Sequence, residues 1–289
     1  AAGGQARRET TLADDCPFCA APLALDAAHD HRHPAPTGLL PFAIDQGRAR
    51  EGLRGWLASR WFAPNDLKKF AEASRPIQGV YVPHYTYDTA CRAEYRGRRG
   101  VEYRVRRGKK TEVRVRWYPA SGRVHHDFDD VLVPATATVT EFSSEADVHG
   151  AAEWDLQALT PYATHYLAGF RAEAPSLGLE KGFDLARGAC DGYMRQLVRR
   201  DIGGDRQQIT WMSTTYDRVT FKHVLLPVWL AAYRYSNTPY RVAINGRTGR
   251  VTGQRPYSWT KIAAAVLAAL LVVAAIAWLN ANGYLGEVQ

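Results

Sequence analysis

The stretch VEYRVRRGKKTEVRVRWY, from Val101 to Tyr118, predicts the fold class. Apolar residues alternate with charged residues on both sides of a Gly-Lys-Lys turn. A period of two is typical of a β-strand, because successive side chains point to opposite faces of the sheet. We therefore expect a β-hairpin over residues 92–117 with one apolar face and one charged face.

Helical spacing appears on both sides of this hairpin. Within residues 44–60, Leu53, Trp56 and Leu57 recur at the spacing of one helix face. Asn65 is the expected N-cap of a further short helix. Within residues 180–200 the same spacing predicts a helix and makes Cys190 a core thiol; the residues that carry it are Phe183, Ala186, Cys190, Met194 and Leu197.

The remaining segments predict further strands. The run GVYVPHYTY contains Pro83, which favours an edge position or a bulge, and YPASG predicts a turn after the hairpin. This run and HVLLPVWLAAYRY each follow a helix, place a proline among aromatic residues and lead to a Gly-Arg-Val ending. We predict an α+β fold with an antiparallel, β-rich domain in two similar halves, residues 44–150 and 151–258.

Residues 262–279, IAAAVLAALLVVAAIAWL, contain no charge, glycine or proline. Their length is near the ~20 residues that span a bilayer as a helix, and Trp259 and Trp278 lie at the expected interfaces. A buried core helix is the alternative. The basic residues before the segment predict that the bulk of the chain, residues 1–258, lies in the cytoplasm of a bacterium. They also predict a single span of the plasma membrane over residues 259–280 and a short C-terminal tail, residues 281–289, outside.

The apolar segment is rich in alanine, and small residues let a neighbouring helix approach closely in lipid. One face, spaced by three and four residues, predicts a contact with a membrane protein complex; it consists of Ala264, Ala268, Leu271 and Ala275. The alternative is that the alanines reflect the composition of the chain as a whole.

Positive charge is concentrated in the hairpin. Residues 92–116 hold eleven Lys and Arg residues against three Glu residues, and the difference equals the formal net charge of +8 for all 289 residues. Such a ribbon favours anionic lipid headgroups, with nucleic acid as a second choice and a solubilising edge strand as a further interpretation. The predicted anion-binding residues are Arg98, Arg99, Arg104, Arg106, Arg107, Lys109, Lys110, Arg114 and Arg116.

Cys16 and Cys19 form a Cys-x-x-Cys pair near the start of the chain. A structural zinc ion usually takes four ligands, so we expect zinc only with an upstream cysteine pair that this chain does not contain. Nearby His29, His31 and His33 do not match zinc-finger spacing, and a polar loop is the alternative. A disulfide within the pair would require an oxidising compartment.

Motifs for catalysis are absent from the sequence. There is no phosphate-binding Gly-x4-Gly-Lys-Ser/Thr, no Gly-x-Ser-x-Gly and no His-Glu-x-x-His. In the cluster HHDFDD, His125 and His126 would point to opposite faces of a strand, which disfavours a shared metal ion. The run DIGGD, residues 201–205, predicts a helix end. We expect no enzymatic activity.

A series of segments resembles one family of bacterial membrane proteins. They include CPFCAAPL, GVYVPHYTYD, SGRVHHDFDDVLVPA, RRDIGGDRQ, TFKHVLLPVWLAAYRY and NGRTGRVTGQRPYS, in this order. The family carries a transcription-factor-IIB-type zinc ribbon and is also labelled primosomal-protein-like or helicase-like. The resemblance implies a zinc ribbon before the folded part, and a hydrophobic helix after it. We expect a membrane-anchored, non-enzymatic adaptor or accessory subunit, with a membrane-tethered nucleic-acid-binding protein as the alternative.

Overall fold

A computed structural model describes residues 11–15, 22–24, 34–62, 64, 77–107, 110–136, 154–235, 238–253 and 256–281. Its helices are α1 (Gln46–Ala58), α2 (Leu179–Ile202) and α3 (Trp259–Ala281), with short 3-10 turns at Leu156–Ala158 and Thr164–Leu167. Its strands are β1 (Thr11–Asp15), β2 (Pro22–Ala24), β3 (Gly38–Leu39), β4 (Gln78–Arg107), β5 (Lys110–Pro134), β6 (Thr160–Pro161), β7 (Arg171–Glu173), β8 (Arg206–Tyr235), β9 (Thr238–Asn245) and β10 (Val251–Gly253).

One sheet contains all of these strands, and the α+β, antiparallel prediction is confirmed. Strands β4 and β8 are its centre and pair antiparallel from Gln78 with Leu230 to Gly100 with Arg206. The edge of β4 that faces away from β8 pairs with β5 and β7. The edge of β8 that faces away from β4 pairs with β3 and β9. The short strands β3 and β7 run parallel to their long neighbours, whereas β5 and β9, the return strands, run antiparallel to them.

The strands β4 and β8 have 30 residues each, which corresponds to roughly 100 Å of extended chain. The turn predicted at YPASG is wrong, because β5 continues straight through it. Gly122 faces Tyr95 across the strands, and a Cβ there would lie 2.8 Å from the Tyr95 hydroxyl. The glycine therefore allows a large aromatic ring to lie opposite it within the strand and does not end the strand.

The two halves of the chain repeat one order of elements: short strand, helix, long strand, return strand. The first is β3, α1, β4 and β5, and the second is β7, α2, β8 and β9. Pro83 and Pro227 occupy equivalent places, because their carbonyls accept hydrogen bonds of 3.0 and 2.8 Å from Ala135 and Gly246 just after the return strands. The limits predicted for two domains stay a prediction, since both halves share one sheet.

Pro83 lies in the central strand, so the edge position predicted for it is wrong. Its place is the point where the neighbour of β4 changes from β7, which pairs at Val80 and Tyr81, to β5, which starts at His84. A proline has no N–H to donate to a ladder. Pro83 lies in the gap between β7 and β5 along this edge of β4. No strand that the structure describes is paired with this edge there, so the absence of a proline N–H is tolerated.

Both α1 and α2 lie on the same face of the sheet, as the cross-strand pairs show. The buried side of α2 consists of Gly182, Ala186, Cys190, Met194, Val198 and Ile202, and it covers Tyr85, Cys91 and Tyr95 of β4. Leu53 and Leu57 of α1 pack on Trp229 of β8 and Ile244 of β9. Both predicted helices are confirmed, and the predicted cap at Asn65 lies outside the described residues.

Helix α3 stands apart from the other elements. Within the described residues it is the one helix long and apolar enough to cross a membrane, over Trp259–Leu279, and none of its most apolar 18 residues is buried. The alternative of a buried core helix is wrong for the part of the chain that the structure describes, since none of these residues is buried there. Ser258 caps the helix, since its carbonyl accepts a hydrogen bond of 3.1 Å from the amide of Ile262.

Candidate functional site: a basic face on the long sheet

The three-stranded part formed by β5, β4 and β8 has α2 on one face, and no element that the structure describes covers the other. We call the uncovered side, from the level of Arg92 to the hairpin tip, the outer face. It carries seven exposed arginines: Arg92, Arg96, Arg98, Arg104, Arg106, Arg123 and Arg206. The residues of β4 that alternate with these arginines, such as Cys91 and Tyr95, point to the other face and are buried beneath α2.

The strand register explains how these arginines are collected. Arg92, Glu94, Arg96 and Arg98 alternate with buried residues along β4. Arg123 of β5 lies opposite Glu94, and Arg206 of β8 lies opposite Gly100. Because directly paired residues share one face of a sheet, three strands contribute charge to the same surface.

Two ion pairs neutralise part of the outer face. The guanidinium of Arg123 is 2.8 Å from the Glu94 carboxylate, and that of Arg206 is 2.7 Å from the Glu102 carboxylate. The other five arginines have no ion-pair partner among the residues that the structure describes. The outer face therefore keeps five positive charges available for an anionic ligand.

Aromatic rings lie between the arginines. Trp211 of β8 is 47% exposed, and the guanidinium of Arg96 lies 5.7 Å from its ring centre. Trp117 of β5 is 40% exposed opposite Gly100. The electrostatic attraction between a guanidinium and an aromatic face holds Arg96 beside Trp211. The sequence contains Arg206 and Trp211, but they lie 89 and 94 residues beyond the end of the hairpin at Trp117, so only the pairing of β8 with β4 brings them here.

The predicted anion-binding residues do not share one face. Arg98, Arg104 and Arg106 lie on the outer face, whereas Arg99, Arg114 and Arg116 lie on the side of α2. Arg116 stacks over the ring of Tyr103 at 5.2 Å. Lys109 lies outside the described residues, as do the side chains of Arg107 and Lys110.

The expectation of one apolar and one charged hairpin face is wrong. Each strand alternates as predicted, but the register pairs Val101 with Arg116, Tyr103 with Arg114 and Arg104 with Val113. Apolar residues of one strand therefore lie beside charged residues of the other on both faces. Register depends on the length of the turn and on packing along the whole strand, which the alternation within one strand does not determine.

Carboxylates gather at a second place, where β5 and β8, the two neighbours of β4, both bulge. Asp130 of β5 and Arg218 of β8 have positive φ angles of 52° and 53° on either side of Asp88. Asp88 accepts hydrogen bonds from the Asp130 amide at 2.8 Å and the Thr220 hydroxyl at 3.2 Å. The carboxylate of Asp88 thus ties the two bulges to the central strand.

Lys222 balances this acidic cluster of Asp88, Asp129 and Asp130. Its amine is 2.9 Å from Asp130 and 3.8 Å from Asp88, and the hydrogen bond to Asp130 raises its pKa. Burial raises the pKa of Asp88, but the Asp130 amide and the Lys222 charge outweigh it and lower that pKa overall. The charges of Asp130 and Asp88 raise the pKa of Asp129. The three carboxylates are close enough to hold a cation, and Lys222 already supplies that charge.

The other predicted site residues are placed as follows. Cys16 and Cys19 lie outside the described residues, as do His29, His31 and His33. His126 packs against Phe128 and Tyr193 on the α2 side, whereas His125 is exposed on the outer side. Cys190 is buried against Cys91, and burial raises the pKa of Cys190 to about 12, which suits a core thiol.

The predicted contact face of α3 is exposed along its whole length. Ala264, Ala268, Leu271 and Ala275 touch no element of the folded part, because the span to which they belong is 0% buried. The small-residue face is therefore available to lipid or to a neighbouring helix.

Comparison with known proteins gives a distant relative. The chain is 25% identical over 233 residues to a Bacillus subtilis (strain 168) protein described as uncharacterized protein YdjG, and the alignment covers 80% of this chain and 67% of that protein. No family model matches the chain. No solved structure matches it. The resemblance to zinc-ribbon proteins and the zinc ligands therefore stay predictions.

Proposed function

We propose that this chain is a membrane-anchored adaptor, without enzymatic activity, that docks an acidic partner protein on its outer face. The observation that carries the proposal is the combination of a membrane-length helix and a distant basic face in one chain. Helix α3 is the anchor, and the long sheet is an arm that displays the outer face. The partner is a component of a larger membrane protein complex.

The distance along β4 supports a protein partner over the headgroups of the anchoring membrane. Ile77, just before β4, packs with α1, and the segment after α1 is hydrogen-bonded to the start of α3. From Gln78 to Arg92, where the outer face begins, the strand advances fourteen residues, which is roughly 45 Å. The outer face thus begins far along the arm from the point where the chain enters the membrane.

The orientation follows from the charges beside the anchor. Arg247, Arg250 and Lys261 precede the apolar span, and the residues after it contain no Lys or Arg. We propose that the folded part lies in the cytoplasm of a bacterium and the C-terminus outside, as the positive-inside rule expects.

A nucleic acid is the second candidate partner, and the outer face contains an observation that favours it. Trp211 is exposed beside Arg96 on an open sheet. Nucleic-acid-binding sheets stack bases on aromatic rings and hold phosphates with arginine. Such binding weakens steeply with salt in proportion to the number of phosphates neutralised.

Charge substitution on the outer face tests the adaptor proposal. The variant Arg98→Ser, Arg104→Ser, Arg106→Ser removes three of the five unpaired charges, and we expect it to lose membrane proteins that copurify with the intact chain in mild detergent. The matched control, Arg195→Ser, Arg199→Ser, Arg200→Ser, removes the same charge from the exposed side of α2 and should retain them. In the same cells, protease added from outside before lysis should leave the folded part whole.

Equal copurification with both variants would contradict the proposal. Nuclease treatment separates the two candidate partners. If nuclease releases the bound material and binding to single-stranded DNA falls with the outer-face variant alone, the nucleic-acid alternative is correct.

A further inference from the structure

Two segments nearly 200 residues apart meet where α3 begins. The amide of Ser258 donates a hydrogen bond of 2.8 Å to the carbonyl of Phe62. The amine of Lys261 donates one of 3.1 Å to the carbonyl of Trp61. The residues that follow α1 are therefore fastened to the first turn of the apolar helix.

Four aromatic side chains are exposed around this junction. Trp61 and Trp259 are each 79% exposed, Tyr257 is 54% exposed and Phe62 is 41% exposed. Large aromatic side chains bury 150–250 Å² when they are covered, as a rough guide, and leaving several together in water is unfavourable. Trp259 belongs to the predicted interface of the span, but Trp61 and Phe62 come from a different part of the fold.

We infer that Trp61, Phe62, Tyr257 and Trp259 form an aromatic foot that inserts into the headgroup region of the membrane that α3 enters. The inference rests on the proposed membrane anchor. The apolar span starts at Ile262, three residues after Trp259, or about 4.5 Å along the helix. A bilayer around the span therefore begins at the level of the foot, and tryptophan is enriched at that level.

The foot gives the folded part a second attachment to the membrane besides α3. Its Trp61 and Phe62 come three and four residues after the end of α1, which packs on β8 and β9. A lipid contact at these residues therefore holds α1, and with it the end of the sheet on which α1 packs, against the membrane. This contact limits the angles that the arm takes relative to the membrane.

Tryptophan emission tests the foot in the full-length protein. The chain is reconstituted in vesicles of lipid brominated in the upper part of the acyl chain, which quenches nearby indoles, and in matched unbrominated vesicles. The emission of Trp61 is the difference between the intact chain and Trp61→Phe. Trp259→Phe reports the anchor in the same way, and Trp211→Phe reports the arm.

We expect the Trp61 and Trp259 differences to be quenched by brominated lipid and the Trp211 difference to be unchanged. Quenching of Trp259 without quenching of Trp61 would overturn the foot and leave the anchor standing. Loss of quenching at both positions would show that α3 does not enter the bilayer, and the proposed function would fail with it. Phenylalanine at the exposed position 61 keeps the folded structure comparable, which circular dichroism checks.

Discussion

At the scale of the residue, glycines in α2 show how closely the helix approaches the sheet. Gly182 lies over Tyr85 and Tyr87, and a Cβ there would be 2.6 Å from the Tyr87 hydroxyl. That hydroxyl donates a hydrogen bond of 2.8 Å to the carbonyl of Leu179. Gly188 is in the same helix, and a Cβ added to it would have no atom of a neighbouring element within 4 Å. The two glycines therefore serve different purposes.

We predict opposite effects of alanine at these two positions. Gly188→Ala should raise the free energy of unfolding by up to about 1 kcal/mol, because alanine favours the helix. Gly182→Ala should lower it by about 1–3 kcal/mol, because the methyl group collides with packed tyrosines. Denaturant unfolding of both variants in the same detergent measures the difference, and equal stabilisation by both would show that α2 does not pack as described.

The same comparison shows what residue patterns can predict. The spacing of Ala186, Cys190 and Met194 was sufficient to place the buried side of α2, and each is buried. No local pattern indicates that Gly182 faces two tyrosines, because those tyrosines are about ninety-five residues earlier in the chain. Close approach between distant elements is a property of the packing.

At the scale of the element, the long strands extend beyond what local signals indicate. Pro83, Pro119 and Gly122 all favour a break, yet β4 and β5 pass through them. Pairing from both sides keeps β4 extended, and β8 continues through Pro227 in the same way. The outer face was missed for the same reason, since it needs β8 beside β4.

Helix α3 allows a prediction at this scale. Replacing Ala264, Ala268 and Ala275 together with leucine should weaken association with the partner complex, because bulky residues prevent a close approach of helices in lipid. Insertion in the membrane should stay intact, because leucine is at least as apolar. Copurification and membrane fractionation measure the two properties separately.

The control variant for α3 places leucine at Ala263, Ala269 and Ala277, on the far side of the helix. It should retain the partner. If both variants copurify with everything that the intact chain does, the helix is an anchor only, and the contacts with the complex are made by the folded part.

At the scale of the whole molecule, equivalent elements of the two halves differ in length. The return strand β5 has 25 residues and β9 has 8, while α2 has 24 residues and α1 has 13. The longer pair builds the arm with its outer face, and the shorter pair builds the base beside α3. The sequence repeat predicted two similar halves, but the unequal strand pairing that separates arm from base depends on tertiary contacts.

Photo-crosslinking in intact membranes tests the central claim that the outer face is the docking surface of a membrane-anchored protein. A photoreactive amino acid replaces Arg98 or Arg104 on the outer face, and Gly188 or Arg195 on the exposed side of α2. We predict crosslinks to the same protein from both outer-face positions and none from the two α2 positions. Crosslinks of equal yield from α2, or none to protein from Arg98 and Arg104, would contradict the account.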